Sequence, residues 1–322
     1  MAPEIRKLPL LRSLCILLIS AVTCPIVCQE QPNVTCKHPP RPPGVDPVYP
    51  SDVDLLQFSL NLEYLEAEWF LFGALGHGLD TIAKDLVMGG PAAIGAHRAN
   101  IDDTTRRIIE EFGYQEIAHL REISKVFGGF PRPWLDLSSY NFALLFDKAV
   151  GQTLRPPFDP YKNTINYLLG SYVIPYVGLV GYVGANQNIY GHKAKRILAG
   201  LLGVEAGQDA VIRTMLYERR DQVVQPYNFT VAEFTGFLSD LRNRLAMCTN
   251  KDEGLLVPPE LGAENKTSSN VLAANHKSLA HTRTPAQILR IVYATSDEAK
   301  PGGFFPLGCN GKIATGFMIK TS

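Results

Sequence analysis

The chain has 322 residues, of which 46% are hydrophobic and 19% are charged, and its formal net charge is zero. This length and apolar content are sufficient for a large buried core, so a wholly disordered chain is excluded. Because basic residues are not in excess, the sequence also lacks the electrostatic signature of a nucleic-acid-binding protein, and we expect no nucleic-acid partner.

The N-terminus carries the pattern of a secretory signal peptide over residues 1–28. Basic residues at Arg6, Lys7 and Arg12 precede an apolar run over 14–27 that is too short for a convincing membrane span. A retained signal anchor is the alternative interpretation. The sequence therefore predicts a protein that enters the secretory pathway and resides outside the cell or in the cell wall.

Glycosylation sequons and cysteine usage agree with this compartment. Three sequons follow the predicted signal, at Asn33, Asn228 and Asn265. Signal cleavage near residue 28 leaves three cysteines, Cys36, Cys248 and Cys309. An odd number of thiols allows at most one internal disulfide, and the sequence leaves its pairing open. We take Cys248 with Cys309 as the candidate pair.

The first predicted helix follows a Pro-rich segment at 29–50, which we expect to be extended. Ser51 is the predicted N-cap of this helix, and apolar residues then recur at intervals of three and four over 55–72. After a Gly-rich connection, a second helix is predicted to begin at Asp102 and to end at the glycine pair 128–129.

Two further long helices are predicted beyond a crossover at 134–160. The third covers about 161–190, and Pro175 inside it predicts a kink or a break. The fourth covers about 193–220. Four long helical patterns, with a long connection between the second and the third and no strand-like alternation, predict an all-α fold built on a four-helix bundle over 51–248.

The C-terminal part of the chain, 249–322, has a different composition, rich in Gly, Pro, Asn, Ser and Thr. We expect it to be an extension packed on the bundle and not an independent domain. Shorter helices are predicted at 141–150, 231–245 and 285–293.

Polar residues interrupt the apolar stripes of three predicted helices. The second helix places a glutamate and a histidine three residues apart on its core-facing stripe, and the fourth repeats this spacing with a glutamate and a glutamine. The first helix adds two glutamates. In chain order these residues are Glu63, Glu66, Glu116, His119, Glu205 and Gln208. Buried carboxylates are costly unless they are paired or bind a cation, and carboxylates with an imidazole suit iron or manganese. The pattern predicts either such a metal site or a metal-free polar network.

Several segments of the sequence resemble the plant desiccation-related protein family, which carries a ferritin-like domain. They are 61–70 (NLEYLEAEWF), 116–119 (EIAH), 172–185 (YVIPYVGLVGYVGA), 204–210 (VEAGQDA) and 301–306 (PGGFFP). The likeness covers about residues 50–320. It implies a ferritin-like four-helix bundle and accumulation during dehydration or a related stress, and it does not imply a defined reaction.

The resemblance also implies a set of metal ligands. Glu63 matches the carboxylate of the first helix in the ferritin-like pattern, Glu116 and His119 match the pair on the second helix, and Glu205 matches the carboxylate of the fourth. These four residues are the predicted ligands of one iron or manganese ion.

Two ligands of the usual di-iron pattern are replaced. Pro175 or Tyr176 stands where the carboxylate of the third helix is expected, and Gln208 stands where the second histidine is expected. Glu66 is expected near the site without being a ligand. With these replacements, two bridged ions are not expected.

We therefore expect a secreted ferritin-like stress protein without catalytic activity, with a degenerate di-iron site. One alternative is a metal-binding protein or oxidase that uses the remaining Glu/His site. Another is a module that interacts with the cell wall or a membrane surface, since the third predicted helix is rich in glycine and small residues permit close helix contacts. Cell-wall components and an oligomer are the partners that the sequence leaves open.

Overall fold

The computed structural model describes residues 47–247 and 250–319, and within these ranges the chain is helical, with isolated β-bridges and no strand. The predicted signal peptide and most of the Pro-rich segment lie outside the described residues. The helices are α1 (Pro50–Leu75), α2 (Leu79–Ile82), α3 (Lys84–Val87), α4 (Asp103–Phe127), α5 (Ser139–Val150), α6 (Thr164–Val173), α7 (Pro175–Asn186), α8 (His192–Tyr217), α9 (Val231–Ala246), α10 (Pro285–Val292) and α11 (Lys312–Ile319). The predicted all-α class is confirmed.

The four long helical patterns form the bundle. Helix α1 packs along α4, α7 packs on both α8 and α1, and α6 continues the line of α7 against α8. Helices α5 and α9 pack on each other at the side of the bundle. Each long helix thus turns its apolar stripe towards the bundle interior. The polar residues described above belong to these stripes and therefore face the interior as well.

The helix starts follow local chemistry, with one difference from the prediction. Ser51 is not the N-cap of α1: the helix begins at Pro50, and Tyr49 is the cap without a side-chain hydrogen bond. Proline suits the first helical position because the N–H it lacks would have no partner there. At α4 the predicted cap is present, since the Asp102 side chain accepts a hydrogen bond from Thr105 N at 2.9 Å.

The third predicted helix is divided by its proline. Helix α6 ends at Val173 and α7 begins at Pro175, with Ile174 between them. Proline has no N–H to donate and its ring clashes with the preceding turn, so the regular hydrogen-bond ladder stops there.

One helical segment among the described residues, Thr164–Asn186, is long and apolar enough to cross a membrane by length and composition. However, 83% of its most apolar window is buried inside the protein. Its glycines approach neighbours in the same chain: a Cβ added at Gly181 would lie 2.8 Å from Ile288 Cδ1, and one at Gly184 would lie 2.2 Å from the carbonyl oxygen of Arg283. We therefore interpret this segment as core of the bundle.

The C-terminal residues extend over the bundle. Helix α10 packs on α9 and α7, and α11 packs on α1. Asn61 of α1 is joined to Asn310 by two hydrogen bonds, from Asn61 Nδ2 to the carbonyl at 2.9 Å and from Asn310 N to Asn61 Oδ1 at 2.7 Å. The extension therefore contacts α1 two residues before the first glutamate of the candidate site.

Candidate metal centre

Helix α1 carries three buried glutamates, and they have two different roles. Glu68 forms an ion pair with the fully buried Arg132, which also donates to Asp80 at 3.1 Å. Glu63 and Glu66 are three residues apart and so lie on one face of the helix. Both are almost completely buried. Helix α1 therefore contributes two carboxylates to the centre and uses the third to hold the loop that follows α4.

Asp52 aligns α1 with α8. Its buried carboxylate accepts hydrogen bonds from Tyr190 N at 3.0 Å and Gly191 N at 2.7 Å, immediately before α8 begins. The two helices therefore start at the same end of the bundle. This alignment brings the glutamates of α1 level with Glu205 of α8.

The four predicted ligands meet in the bundle interior. His119 Nδ1 lies 3.0 Å from Glu63 Oε2, 3.1 Å from Glu116 Oε2 and 3.9 Å from Glu205 Oε1. One potential ligand atom from each of the four residues lies within 4.8 Å of the others, and all four residues are buried. The structure thus brings together Glu63, Glu116, His119 and Glu205, and together with Glu66 we call them the carboxylate cluster.

Glu66 lies beside the four predicted ligands, next to Glu205. Its carboxyl group and that of Glu205 are completely buried and can hydrogen-bond to one another only if one carries a proton. As ionised carboxylates, all four of their oxygens lack a donor. Since buried polar atoms are normally paired, these oxygens are suited to coordinate a cation.

Gly178 of α7 lies against the centre. A Cβ added at Gly178 would lie 3.0 Å from both Glu66 Oε1 and Glu205 Oε2. The missing side chain makes room for these two carboxylates. A second carboxylate from α1, that of Glu66, therefore lies directly against α7.

Tyr176 faces the C-terminal extension instead. Its hydroxyl donates to the carbonyl oxygen of Lys251 at 2.8 Å, and the Arg242 guanidinium lies 4.9 Å from its ring centre. Gly178 and Tyr182, one turn apart on α7, face the centre. Tyr182 donates its hydroxyl to Glu63 Oε1. Sequence reasoning missed both residues, although their spacing of four places them on one helix face.

Gln208 hydrogen-bonds to a predicted ligand. Its amide nitrogen donates to Glu116 Oε1 at 2.6 Å and to Gln115 Oε1 at 3.0 Å. An amide at this position orients the Glu116 carboxylate and continues the hydrogen bonds towards Gln115, which is half-buried. The glutamine thus supports the centre in place of the second histidine.

The charges of the cluster are strongly coupled. Burial opposes ionisation of Glu63, but His119 outweighs it and lowers the pKa of this carboxyl. Burial also opposes protonation of His119, yet Glu63 and Glu116 raise its pKa to about 12. For Glu66 and Glu205, burial and then the other carboxylates raise the pKa well above its usual range.

Glu116 lies between these extremes, because burial and Glu63 raise its pKa to about 8. Without an ion, the cluster is thus held by one imidazolium and by protons on several carboxyls. A divalent cation would replace these protons, so its binding is expected to release them.

The predicted glycosylation sites and the candidate disulfide lie outside the carboxylate cluster. Asn228 and Asn265 are exposed, whereas Asn33 and Cys248 lie outside the described residues. Cys309 is buried, and its main-chain nitrogen donates to the Tyr293 hydroxyl at 2.8 Å. Glycosylation and the disulfide therefore stay predictions.

Comparison with known proteins agrees with this architecture. A family model described as a ferritin-like domain matches residues 51–218. The ferritin-like catalase Nec2 of Nesocodon mauritianus is 57% identical over 292 residues, which cover 91% of this chain and 93% of that protein. The desiccation-related protein PCC13-62 of Craterostigma plantagineum is 52% identical over 267 residues, covering 83% of this chain and 85% of that protein. No solved structure gives a significant match.

The matched region 51–218 contains α1, α4, α6–α7 and α8, and with them every member of the carboxylate cluster. Both relatives extend the similarity into the C-terminal extension, because their matches cover more than four-fifths of the chain. The chain is therefore a member of the ferritin-like family, in the group that includes the plant desiccation-related proteins.

Proposed function

We propose that the protein is a metal-dependent catalase that acts outside the cell and decomposes hydrogen peroxide at the carboxylate cluster. The observation that carries the proposal is the convergence of Glu63, Glu116, His119 and Glu205 in the bundle interior, where one potential ligand atom of each lies within 4.8 Å of the others. The buried carboxyl of Glu66 lies beside them. The named activity of the Nesocodon mauritianus relative supports the choice of reaction. The proposal departs from the sequence-based expectation of a protein without catalysis, because the centre has one more buried carboxylate than that expectation allowed.

The donor set fits iron or manganese. Four carboxylates and one imidazole are hard and intermediate ligands, which these ions accept, whereas the cluster contains no thiolate of the kind that selects softer metals. Glu66, Glu116 and Glu205 all have a raised pKa in the protein without an ion, as expected where a positive charge is needed. The residues that would hold metal are thus Glu63, Glu66, Glu116, His119 and Glu205.

In the proposed reaction, two molecules of hydrogen peroxide give two molecules of water and one of oxygen. One peroxide is oxidised and loses two electrons and two protons, and the other takes up both pairs and is cleaved at its O–O bond. The bound metal supplies the redox step that carries the electrons from one half-reaction to the other.

The protein's own residues are suited to hold the protons between these half-reactions. His119 Nδ1 lies within hydrogen-bond distance of both Glu63 and Glu116. Tyr182 extends this network on the side of Glu63, and Gln208 extends it on the side of Glu116. A connected set of hydrogen-bond donors and acceptors can take up a proton and return it within the protein.

Location outside the cell is supported by the signal-like residues 1–28 and by the accessibility of two sequons. Asn228 and Asn265 are both exposed, as glycan attachment requires. Expression of the full chain in plant cells tests this part: we expect the protein in the medium or cell wall, with a mass that falls after treatment with a glycosidase specific for N-linked glycans.

The experiment for the catalytic proposal uses the mature chain, loaded separately with iron and manganese. Metal content is measured by mass spectrometry, and oxygen release from hydrogen peroxide is measured with an electrode. Glu66→Gln keeps the shape of the side chain and removes its charge, so we expect it to lower both metal content and oxygen release. The matched control is Glu122→Gln, because Glu122 is an exposed glutamate of α4 and its substitution should leave both unchanged.

A second candidate is a stress protein that binds metal without catalysis. It is favoured by Gly178 and Gln208, which stand where a ferritin-like centre commonly has further ligands. Metal bound in near-stoichiometric amount, without oxygen release from peroxide, would select this candidate. A chain that takes up no iron or manganese would exclude both.

A further inference from the structure

A cavity of about 80 Å³ lies between α1, α7 and the start of α10. A space of this size holds more than one water-sized molecule. Its walls come from three parts of the chain that are distant in sequence, and one of them is the C-terminal extension at 282–288. The cavity is therefore formed only when the extension is packed on the bundle.

The outer end of this cavity is polar and reaches the surface. Gln187, Asn188, Thr282 and Thr284 line it and are exposed. The middle is apolar, with α1 and α10 contributing aliphatic and aromatic side chains that include Leu55, Leu56, Phe58 and Ile288. One charged residue, Arg283, also lines the cavity, and its guanidinium donates to Asn243 Oδ1 at 3.0 Å.

The inner end adjoins the carboxylate cluster. Gly178 and Tyr182 both line the cavity, and both contact the cluster from the other side. The Tyr182 hydroxyl donates to Glu63, and the space where Gly178 lacks a side chain is bounded by Glu66 and Glu205. Ser59 lines the same end. A molecule in the cavity is thus separated from the buried carboxylates by one tyrosine ring and by a residue without a side chain.

We propose that this cavity is the access path by which hydrogen peroxide reaches the cluster, and that its size excludes bulky organic hydroperoxides. The inference rests on the proposed function, and it assigns a role to the C-terminal extension and to Gly178. The polar outer end can take up a hydrated reactant. The apolar middle favours passage of a molecule that is small and uncharged. Peroxides with a bulky organic group are kept from the cluster by the same walls.

The test narrows the cavity without touching the cluster. Ala185 of α7 lines the cavity and is half-buried, so Ala185→Phe places a ring in the path. The matched control is Asn186→Phe, which adds the same ring at the neighbouring exposed residue outside the cavity. For Ala185→Phe we expect kcat/KM for hydrogen peroxide to fall about tenfold, equivalent to about 1.4 kcal/mol in the barrier, with unchanged metal content.

A second measurement does not depend on turnover. Nitric oxide is a small neutral molecule, and its association with the iron(II)-loaded protein is followed by absorbance in a stopped-flow instrument. We expect Ala185→Phe to slow this association by a factor similar to that for kcat/KM, and Asn186→Phe to leave it unchanged. Wild-type rates for both reactions in an Ala185→Phe protein with full metal content would overturn the proposed path.

The two proposals fail in different ways. If the wild-type protein binds metal without releasing oxygen, the catalase proposal is wrong, and the nitric oxide rates alone decide the access path. If Ala185→Phe loses its metal, Leu55→Ala decides instead, because it widens the middle of the cavity. We then expect faster reaction with tert-butyl hydroperoxide relative to hydrogen peroxide, and an unchanged ratio would overturn the proposal.

Discussion

The bundle contains two groups of buried charges, and they differ in how their polar atoms are paired. The carboxylate cluster leaves the oxygens of Glu66 and Glu205 without donors. The second group, which we call the arginine cluster, consists of Arg213, Arg242, Tyr172 and Asp252. These residues join α6, α8 and α9 to the C-terminal extension.

The arginine cluster is fully hydrogen-bonded. Arg242 pairs with Asp252 and donates to the Tyr172 carbonyl at 2.5 Å, while Arg213 donates to Val271 O at 2.9 Å and Asn270 O at 2.5 Å. The two guanidiniums lie 5.2 Å and 4.6 Å from the Tyr172 ring centre. The two clusters are therefore similarly buried. The arginine cluster is paired within the protein and stabilises the fold, whereas the carboxylate cluster is suited to bind a cation.

The largest expected effect breaks the arginine cluster. Arg242→Met keeps much of the side-chain volume and leaves Asp252 buried without its partner. We expect the free energy of unfolding, measured by denaturant titration, to fall by about 3–5 kcal/mol. Arg244→Met is the control, since Arg244 is exposed on the same helix and should change stability by less than about 0.5 kcal/mol. A loss below about 1 kcal/mol for Arg242→Met would show that the cluster does not hold the extension.

The next expected effect is a pH-dependent change in stability at Asp209, which lies near the arginine cluster. Burial raises the pKa of Asp209 to about 6, although Arg213 and Arg242 act to lower it and Asp252 raises it. An acid whose pKa is higher in the folded state stabilises the fold only at low pH, and that contribution is lost as the pH rises through about 6. At pH 7 we expect Asp209→Asn to be more stable than the wild type by up to about 3 kcal/mol.

This advantage of Asp209→Asn should shrink below about pH 6 and disappear below about pH 3, where Asp209 is protonated in both the folded and the unfolded state. Denaturant titrations across this range measure it. A constant difference between pH 4 and pH 7 would contradict the raised pKa.

Metal binding should stabilise the protein through the carboxylate cluster alone. At a free ion concentration about one hundred times the dissociation constant, the expected gain is about 2.7 kcal/mol. Thermal unfolding with iron or manganese, compared with a chelator, measures this gain. In a Glu66→Gln/Glu205→Gln protein the ion should produce no shift, whereas the Arg244→Met protein should respond as the wild type does.

The smallest expected effect has the opposite sign to that of Arg242→Met. In the metal-free protein, Glu66→Gln replaces a buried acid with a neutral amide that can donate to Glu205. We expect the metal-free protein to gain about 1–2 kcal/mol in stability. Unfolding in the presence of a chelator checks this, and a loss of stability would mean that Glu66 serves the fold and not a ligand.

Much of the fold was predictable from local pattern. Apolar spacing predicted the four bundle helices, Asp102 predicted the start of α4, and Pro175 predicted the break between α6 and α7. The same periodicity placed Glu63, Glu116, His119 and Glu205 on core-facing stripes, because residues three or four apart share one face of a helix whatever surrounds them.

The contacts between helices could not be predicted in this way. Glu66 and Glu68 are both buried, but Glu68 forms an ion pair with Arg132, whereas Glu66 lies at the metal centre. The position of Arg132, which the sequence does not give, decides between these two roles. Gly178 and Tyr182 face the cluster because of the way α7 packs against α1 and α8, which periodicity within one helix does not determine.

Sequence by itself determined which helices form, where they are interrupted and which helix faces carry carboxyl and imidazole groups. These features depend on hydrogen bonds and side-chain spacing within a few residues. Only the tertiary structure decided which carboxylates lack a partner and where a path leads to them. Pairing and open space are properties of atoms brought together from distant parts of the chain, so they arise when the bundle and its C-terminal extension have packed.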